Sequence, residues 1–231
     1  MIPKFLQSSR RGFLGGTAAA AALTTLAVPA RAQVEVVPLD RYQPDYLTAG
    51  EWAFVMAACA RIIPSDGDGP GAIEARVPVF IDRQLAGDFG AAADLYMEGP
   101  FNPGADAYLG TQTPLTPARI YREGIAAVDQ WCTDDNLGSP FAELDPEDQD
   151  TVLRALSSGD LSLDDELREF WALLVQNTKE GYFADPRYGG NHGMQSWIYI
   201  GFPGARANYL EWIGRNEAYP LGPVDIAGER A

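Results

Sequence analysis

Four times along this chain a hydroxyl or carboxylate residue stands at the head of an apolar run with helical spacing, and no alternating run of strand length stands out. Thr48-Ala49-Gly50-Glu51 is a capping box, in which the Thr hydroxyl and the Glu carboxylate satisfy each other's backbone amides. Trp52, Val55, Met56, Cys59, Ile62 and Ile63 then recur at helical intervals, so the spacing predicts a helix over about 49–62. Thr116-Pro117 opens a helix to about Trp131, with Ile120, Ile125 and Val128 as core positions, and Asp145-Pro146 opens another to Ser157. Ser162-Leu163-Asp164-Asp165 predicts the longest helix, reaching about Gly181 with Leu167, Phe170, Trp171, Leu174 and Val175 as its apolar stripe. A further helix is expected from Ala72 or Pro78 to Ala86, with Val77, Phe80, Ile81 and Leu85 on one face.

Between these runs lie strong breakers. Pro64 and the stretch 65–71 end the first helix, and residues 87–113 are rich in Gly and Pro, with a short turn expected around Ala92 to Met97. Residues 33–46 are expected to form an arm laid over the surface. The expectation is therefore an all-α fold, a small irregular helical bundle with long Gly/Pro-rich loops.

The N-terminus carries Ser9-Arg10-Arg11-Gly12-Phe13-Leu14 before an apolar, Ala-rich run from Leu14 to Val28. Paired arginines ahead of Phe-Leu mark the twin-arginine export route, and Ala30-Arg31-Ala32 supplies a small-x-small cleavage site. Residues 1–32 are thus expected to be a signal peptide, leaving 33–231 as a single domain located in the periplasm. The run is shorter than the roughly 20 residues a membrane-spanning helix requires. The leader holds Lys4, Arg10, Arg11 and Arg31 and no acid, so its removal takes the formal charge from −15 to −19. A chain this acidic is a poor partner for nucleic acid or anionic lipid, and any membrane association is expected to run through partner proteins.

An oxidising compartment permits a disulfide between the two cysteines, Cys59 and Cys132, or from one of them to a partner. Cys59 lies in an apolar run where a buried thiol is equally natural, whereas Cys132 stands at the polar end of a helix. His192 is the only histidine, which excludes any two-histidine metal site, and its setting between Asn191 and Gly193 suits a residue that fixes loop geometry. Asp66-Gly67-Asp68-Gly69 invites a calcium loop, but counting from Asp66 puts Pro70 at the fifth position and Val77 at the twelfth, where a bidentate Glu is required. Asp134-Asp135 and Asp164-Asp165 fall at helix ends and are ordinary in a chain with 32 acids. No dinucleotide fingerprint, phosphate loop, nucleophile elbow or Cys-x-x-Cys-His haem motif is present.

Two segments remain. Ile62-Ile63-Pro64, Asp66, Pro70-Gly71-Ala72, Glu74-Ala75, Val77 and Phe80-Ile81-Asp82 form the first. Gly181-Tyr182-Phe183-Ala184-Asp185-Pro186, Tyr188-Gly189-Gly190-Asn191, Trp197 and Gly201-Phe202-Pro203-Gly204 form the second. Together and in this order they resemble the gluconate 2-dehydrogenase subunit 3 family. The resemblance implies a hetero-oligomer: an FAD-containing catalytic subunit of the glucose-methanol-choline type, a multihaem cytochrome c subunit at the inner membrane, and this small subunit. It further implies that this chain binds no redox cofactor, FAD and haem c lying in its partners, and that its leader exports the folded flavoprotein. Asp185, Tyr188, Gly189, Gly190, Asn191, His192, Trp197, Phe202 and Pro203 are then the candidate partner-docking residues, with close helix packing as the other use for their glycines. The alternative is a stand-alone periplasmic enzyme working through carboxylates.

Overall fold

The computed structural model describes residues 37–231 apart from 103 and 111. The expected leader, with Arg10, Arg11, Ala30 and Ala32, lies outside the described residues. The chain divides between Arg41 and Tyr42. Ahead of that division the described part is one 3-10 turn, Leu39–Arg41.

Among the described residues there are six α-helices and no strand. They are α1 (Ala49–Ile62), α2 (Val77–Ala86), α3 (Pro117–Trp131), α4 (Pro146–Ser158), α5 (Phe170–Phe183) and α6 (Gln195–Ile200). The fold is all-α, as the caps predict. Thr48 Oγ1 accepts from Glu51 N at 3.3 Å while Glu51 Oε2 accepts from Thr48 N at 2.7 Å, so the capping box is closed. Asp145 caps α4 by accepting from the amides of Glu147 and Asp148, and Thr116 caps α3 through Arg119 N.

One start is displaced. Asp164 caps nothing, residues Asp165–Leu167 form a separate 3-10 turn, and α5 begins only at Phe170. Leu161 and Leu167 are both buried, and the core draws this stretch inward instead of letting it propagate as a helix from Ser162. Among the described residues the longest helix is consequently α3, with 15 residues. At its other end α5 runs two residues beyond Gly181 and stops before Asp185-Pro186, where proline disfavours helical backbone in the residue ahead of it.

The core is a layer of aromatics between α1, α3, α5 and the 3-10 turn Phe141–Glu143. Phe54 of α1 meets Phe141 at 4.6 Å and Phe170 at 6.2 Å between ring centroids, and Phe170 meets the edge of Tyr121 at 5.7 Å. Each such fully buried ring contributes about 1.5–3 kcal/mol by leaving water. α2 packs against α1, α3 and α5. Asp82 of α2 is completely buried and accepts four hydrogen bonds: Tyr42 Oη and Asp45 N on Oδ2, Tyr46 N and Leu47 N on Oδ1, all at 2.8–3.0 Å. From Tyr42 onward the expected surface arm is therefore fastened to the core by one carboxylate. Burial and then the charge of Asp82 push the Tyr42 phenol up to about 12.

No disulfide forms between the cysteines, and both are free and buried. Cys59 Sγ lies 3.6 Å from Thr178 Oγ1 of α5. Cys132 begins a π-helical turn, Cys132–Asn136, that prolongs α3. The expectation that it stands at a polar end, open to another chain, is corrected. Tyr121, Ile125, Val128 and Cys132 follow one another at intervals of four, three and four residues, so Cys132 is the last member of the buried stripe of α3.

Candidate functional site

The two Gly-rich segments, about 120 residues apart in sequence, come together at one end of the bundle. Tyr182 Oη donates to the carbonyl of Pro70 at 2.7 Å, and His192 N donates to the carbonyl of Ala75 at 3.1 Å. A Cβ on Gly69 would stand 2.9 Å from the ring of Tyr199, so that ring lies flush on the loop between α1 and α2. A Cβ on Gly190 would fall 2.1 Å from the carbonyl oxygen of Gly181, which only glycine permits.

Asn191 is the keystone of the turn. It is wholly buried in the left-handed region at φ 43°, donates from Nδ2 to Ala184 O at 2.9 Å, and accepts at Oδ1 from Ser196 N at 3.1 Å. Ser196 Oγ sits between that same Oδ1 and the carbonyl of Tyr182, its one proton serving one of them at a time. Asp185 is also buried, its Oδ1 accepting from Arg187 N at 3.1 Å and its Oδ2 from Ile226 N at 2.7 Å. Trp197 is buried and donates from Nε1 to Phe183 O at 2.8 Å. These three side chains and Gly190 build the turn and face inward. His192 is half-buried, and burial, then the neighbouring charge of Arg76, lowers its pKa.

What reaches solvent is apolar. Tyr188 and Phe202 are exposed, Gly189 and Pro203 partly so, and Phe183, Ile198, Tyr199 and Ile200 join them at the surface. The Phe202 ring stands edge-on to Trp197 at 5.1 Å. A cleft of about 400 Å³ opens beside it, lined by Ile198, Phe202, Tyr219 and Leu221. The exposed side chains of α6 are missing from the residues expected on sequence, although the signal was legible. Trp197-Ile198-Tyr199-Ile200 places four large apolar residues in succession on a helix of six, and of these four only the tryptophan is buried.

Among the described residues no three His, Cys, Asp or Glu side chains gather as a metal-holding group, and no helix is long and apolar enough to cross a membrane. The sequence pattern of the family described as "Gluconate 2-dehydrogenase subunit 3" matches residues 49–204. The chain belongs to that family. The matched range opens at the first residue of α1 and ends at Gly204, so it contains both contacting segments of this subunit 3 member and the exposed face of α6. Membership makes the chain a subunit of a multi-subunit gluconate dehydrogenase type of complex. No curated protein and no solved structure matches the chain.

Proposed function

We propose that this chain is the non-catalytic small subunit of a periplasmic FAD-dependent sugar or sugar-acid dehydrogenase. In this reading it is exported through the twin-arginine route together with the folded flavoprotein, which it also helps to assemble and stabilise. The flavin belongs to the partner of the glucose-methanol-choline type and the haem to a multihaem cytochrome c subunit that holds the complex at the membrane. The chain's own task is recognition, and the face around Trp197 is its means.

The observation that carries this reading is the exposed run Ile198-Tyr199-Ile200 on a helix pinned to the bundle by Trp197, in a chain of this family. Contiguous apolar surface of this kind is unfavourable in water and is relieved when a partner covers it. The buried side chains of Asp185, Asn191 and Trp197 hold the backbone beneath it, so the face is preformed and little ordering entropy is lost on docking.

The test is co-expression of the full chain with the flavin-containing dehydrogenase subunit. Ile198→Ser, Tyr199→Ser and Ile200→Ser combined should abolish co-purification while leaving the helical circular dichroism intact. Arg10→Lys with Arg11→Lys should hold both proteins in the cytoplasm. A flavoprotein that binds the triple variant as it binds the parent, or that reaches the periplasm without the arginine pair, would overturn the proposal.

A further inference from the structure

Beyond Gly204 the chain leaves the bundle and comes back to it. Ala205 N donates to Val224 O at 2.7 Å and Val224 N to Pro203 O at 3.3 Å, so residues 206–222 form a loop closed at its neck. Gly204 stands at that neck with φ 73°, and a Cβ on it would fall 2.1 Å from Val224 O. Among the described residues the hydrogen bonds of 206–222 all begin and end between Gly204 and Gly222. In hydrogen bonding the loop therefore depends on its neck and on itself.

Its own core is small. No residue of 206–222 is fully buried, and only Arg206, Trp212 and Tyr219 are half-buried. Tyr219 is the hub. Tyr209 and Trp212 stand edge-on to it at 5.7 and 5.1 Å between ring centroids, and the Arg206 guanidinium lies 5.5 Å from its centre. Two donors of this cluster, Arg206 Nε and Trp212 Nε1, are buried without an acceptor, and among the described residues no other buried side-chain nitrogen or oxygen lacks a partner. A buried N–H left unmet is costly, so the pair marks packing that the chain alone does not complete.

The same loop borders the face of α6. Tyr219 and Leu221 line the cleft together with Ile198 and Phe202, so a partner that covers α6 also meets the loop. Leu210 and Ile213 at its tip are 72% and 76% exposed. Tryptophan, tyrosine and arginine are the residue types that most often anchor protein interfaces.

We infer that the loop 206–222 is the adaptable half of the docking surface, which repacks against the flavoprotein subunit and there gives Arg206 Nε and Trp212 Nε1 their acceptors. This inference rests on the docking role proposed above and adds a second contact region and its mode of binding. The face of α6 is preformed, whereas the loop has little packing of its own to lose. The acceptors are carbonyl or carboxylate oxygens, the groups that ordinarily receive an indole or guanidinium N–H.

The experiment uses the full chain, free and co-expressed with the flavin-containing subunit. Trp212→Phe keeps a ring and removes the donor. It should leave the Tm of the free chain unchanged or raised and weaken retention of the flavoprotein about 10-fold. In the parent, hydrogen exchange of the amides in 206–222 should be slower in the complex than in the free chain. A fall in the Tm of free Trp212→Phe would mean that the indole N–H is already met, by water, and would overturn the inference. Unchanged retention by Trp212→Phe, or unchanged exchange over 206–222, would overturn it too; with the partner still lost from the Ile198/Tyr199/Ile200 serine variant, the docking role would stand. Failure of the parent chain itself to retain the flavoprotein would overturn both.

Discussion

Replacing Asp82 with Asn is the sharpest probe of how the bundle is closed. The carboxylate receives four hydrogen bonds, two on each oxygen, and three come from backbone amides that have no hydroxyl-like freedom to turn away. An asparagine keeps one accepting oxygen and presents an NH2 group to the other pair of donors. If Nδ2 replaces Oδ2, the Asp45 amide loses its acceptor, and the Tyr42 hydroxyl can reverse and accept. Hydrogen bonds to a charged group are worth about 1.5–3 kcal/mol and an unsatisfied buried donor about 1–3 kcal/mol, so the substitution should cost about 3–5 kcal/mol. For a domain of this size that corresponds to a fall in Tm of roughly 6–20 °C. Urea unfolding followed by tryptophan fluorescence reports on the site directly, since Trp52 stands 5.0 Å from the Tyr42 ring. Tyr42→Phe removes one bond without stranding an amide and should cost only about 0.5–1.5 kcal/mol. An Asp82→Asn variant within about 1 kcal/mol of the parent would refute the idea that this carboxylate ties residues 42–47 to the core.

Gly190→Ala, whose Cβ would meet Gly181 O at 2.1 Å, should lower stability by more than about 3 kcal/mol, whereas Gly50→Ala, with open space around it in α1, should be neutral or stabilising in the same unfolding assay. Burial pushes the Cys59 thiol up to about 12 and, with the charge of Asp129 second, the Cys132 thiol up to about 11. At about pH 8 the native protein should therefore resist a thiol reagent, and two thiols should appear on unfolding without reductant; none would signal a disulfide. His192 has its folded pKa below its unfolded value of 6.5, lowered first by burial and then by Arg76. Its contribution to stability is thus present above that value and lost as the pH falls through the folded pKa. His192→Gln should accordingly lose less stability than the parent between about pH 7 and pH 5, and an NMR titration with a folded pKa above 6.5 would contradict the sign.

The helices were legible in the chain wherever a local rule governed them. Thr48, Thr116 and Asp145 cap the helices they announce, because a capping bond is made within three residues of the cap itself. Ser162 to Asp165 carries an equally good signal and opens no α-helix, since burial of Leu161 and Leu167 is settled by the rest of the molecule. Cys132 was misplaced for a different reason. The stripe through Tyr121, Ile125 and Val128 reaches it, but the polar residues that follow masked its place on the buried side. At the candidate site the expected residues do converge on one turn. Of these Asp185, Asn191 and Trp197 turn inward and Tyr188 and Phe202 outward, while the apolar residues of α6, which were not among those expected, lie beside the contacts between residues near 70 and residues near 190. Nothing in either segment alone specifies those contacts.

The same long-range pairing sets an order on the ribosome. The loop after α1 and the helix α2 are made early, yet the groups that complete their surface, Tyr182, His192 and Tyr199, are joined only after α3 and α4 have been made. While the chain is still being extended through them, the loop at Pro70 and the carbonyl of Ala75 have no counterpart, and the exposed apolar face of α6 does not exist. A partner that reads this face must therefore wait until the second segment has been made. A product truncated before Tyr182 would keep most of the aromatic core while lacking that face.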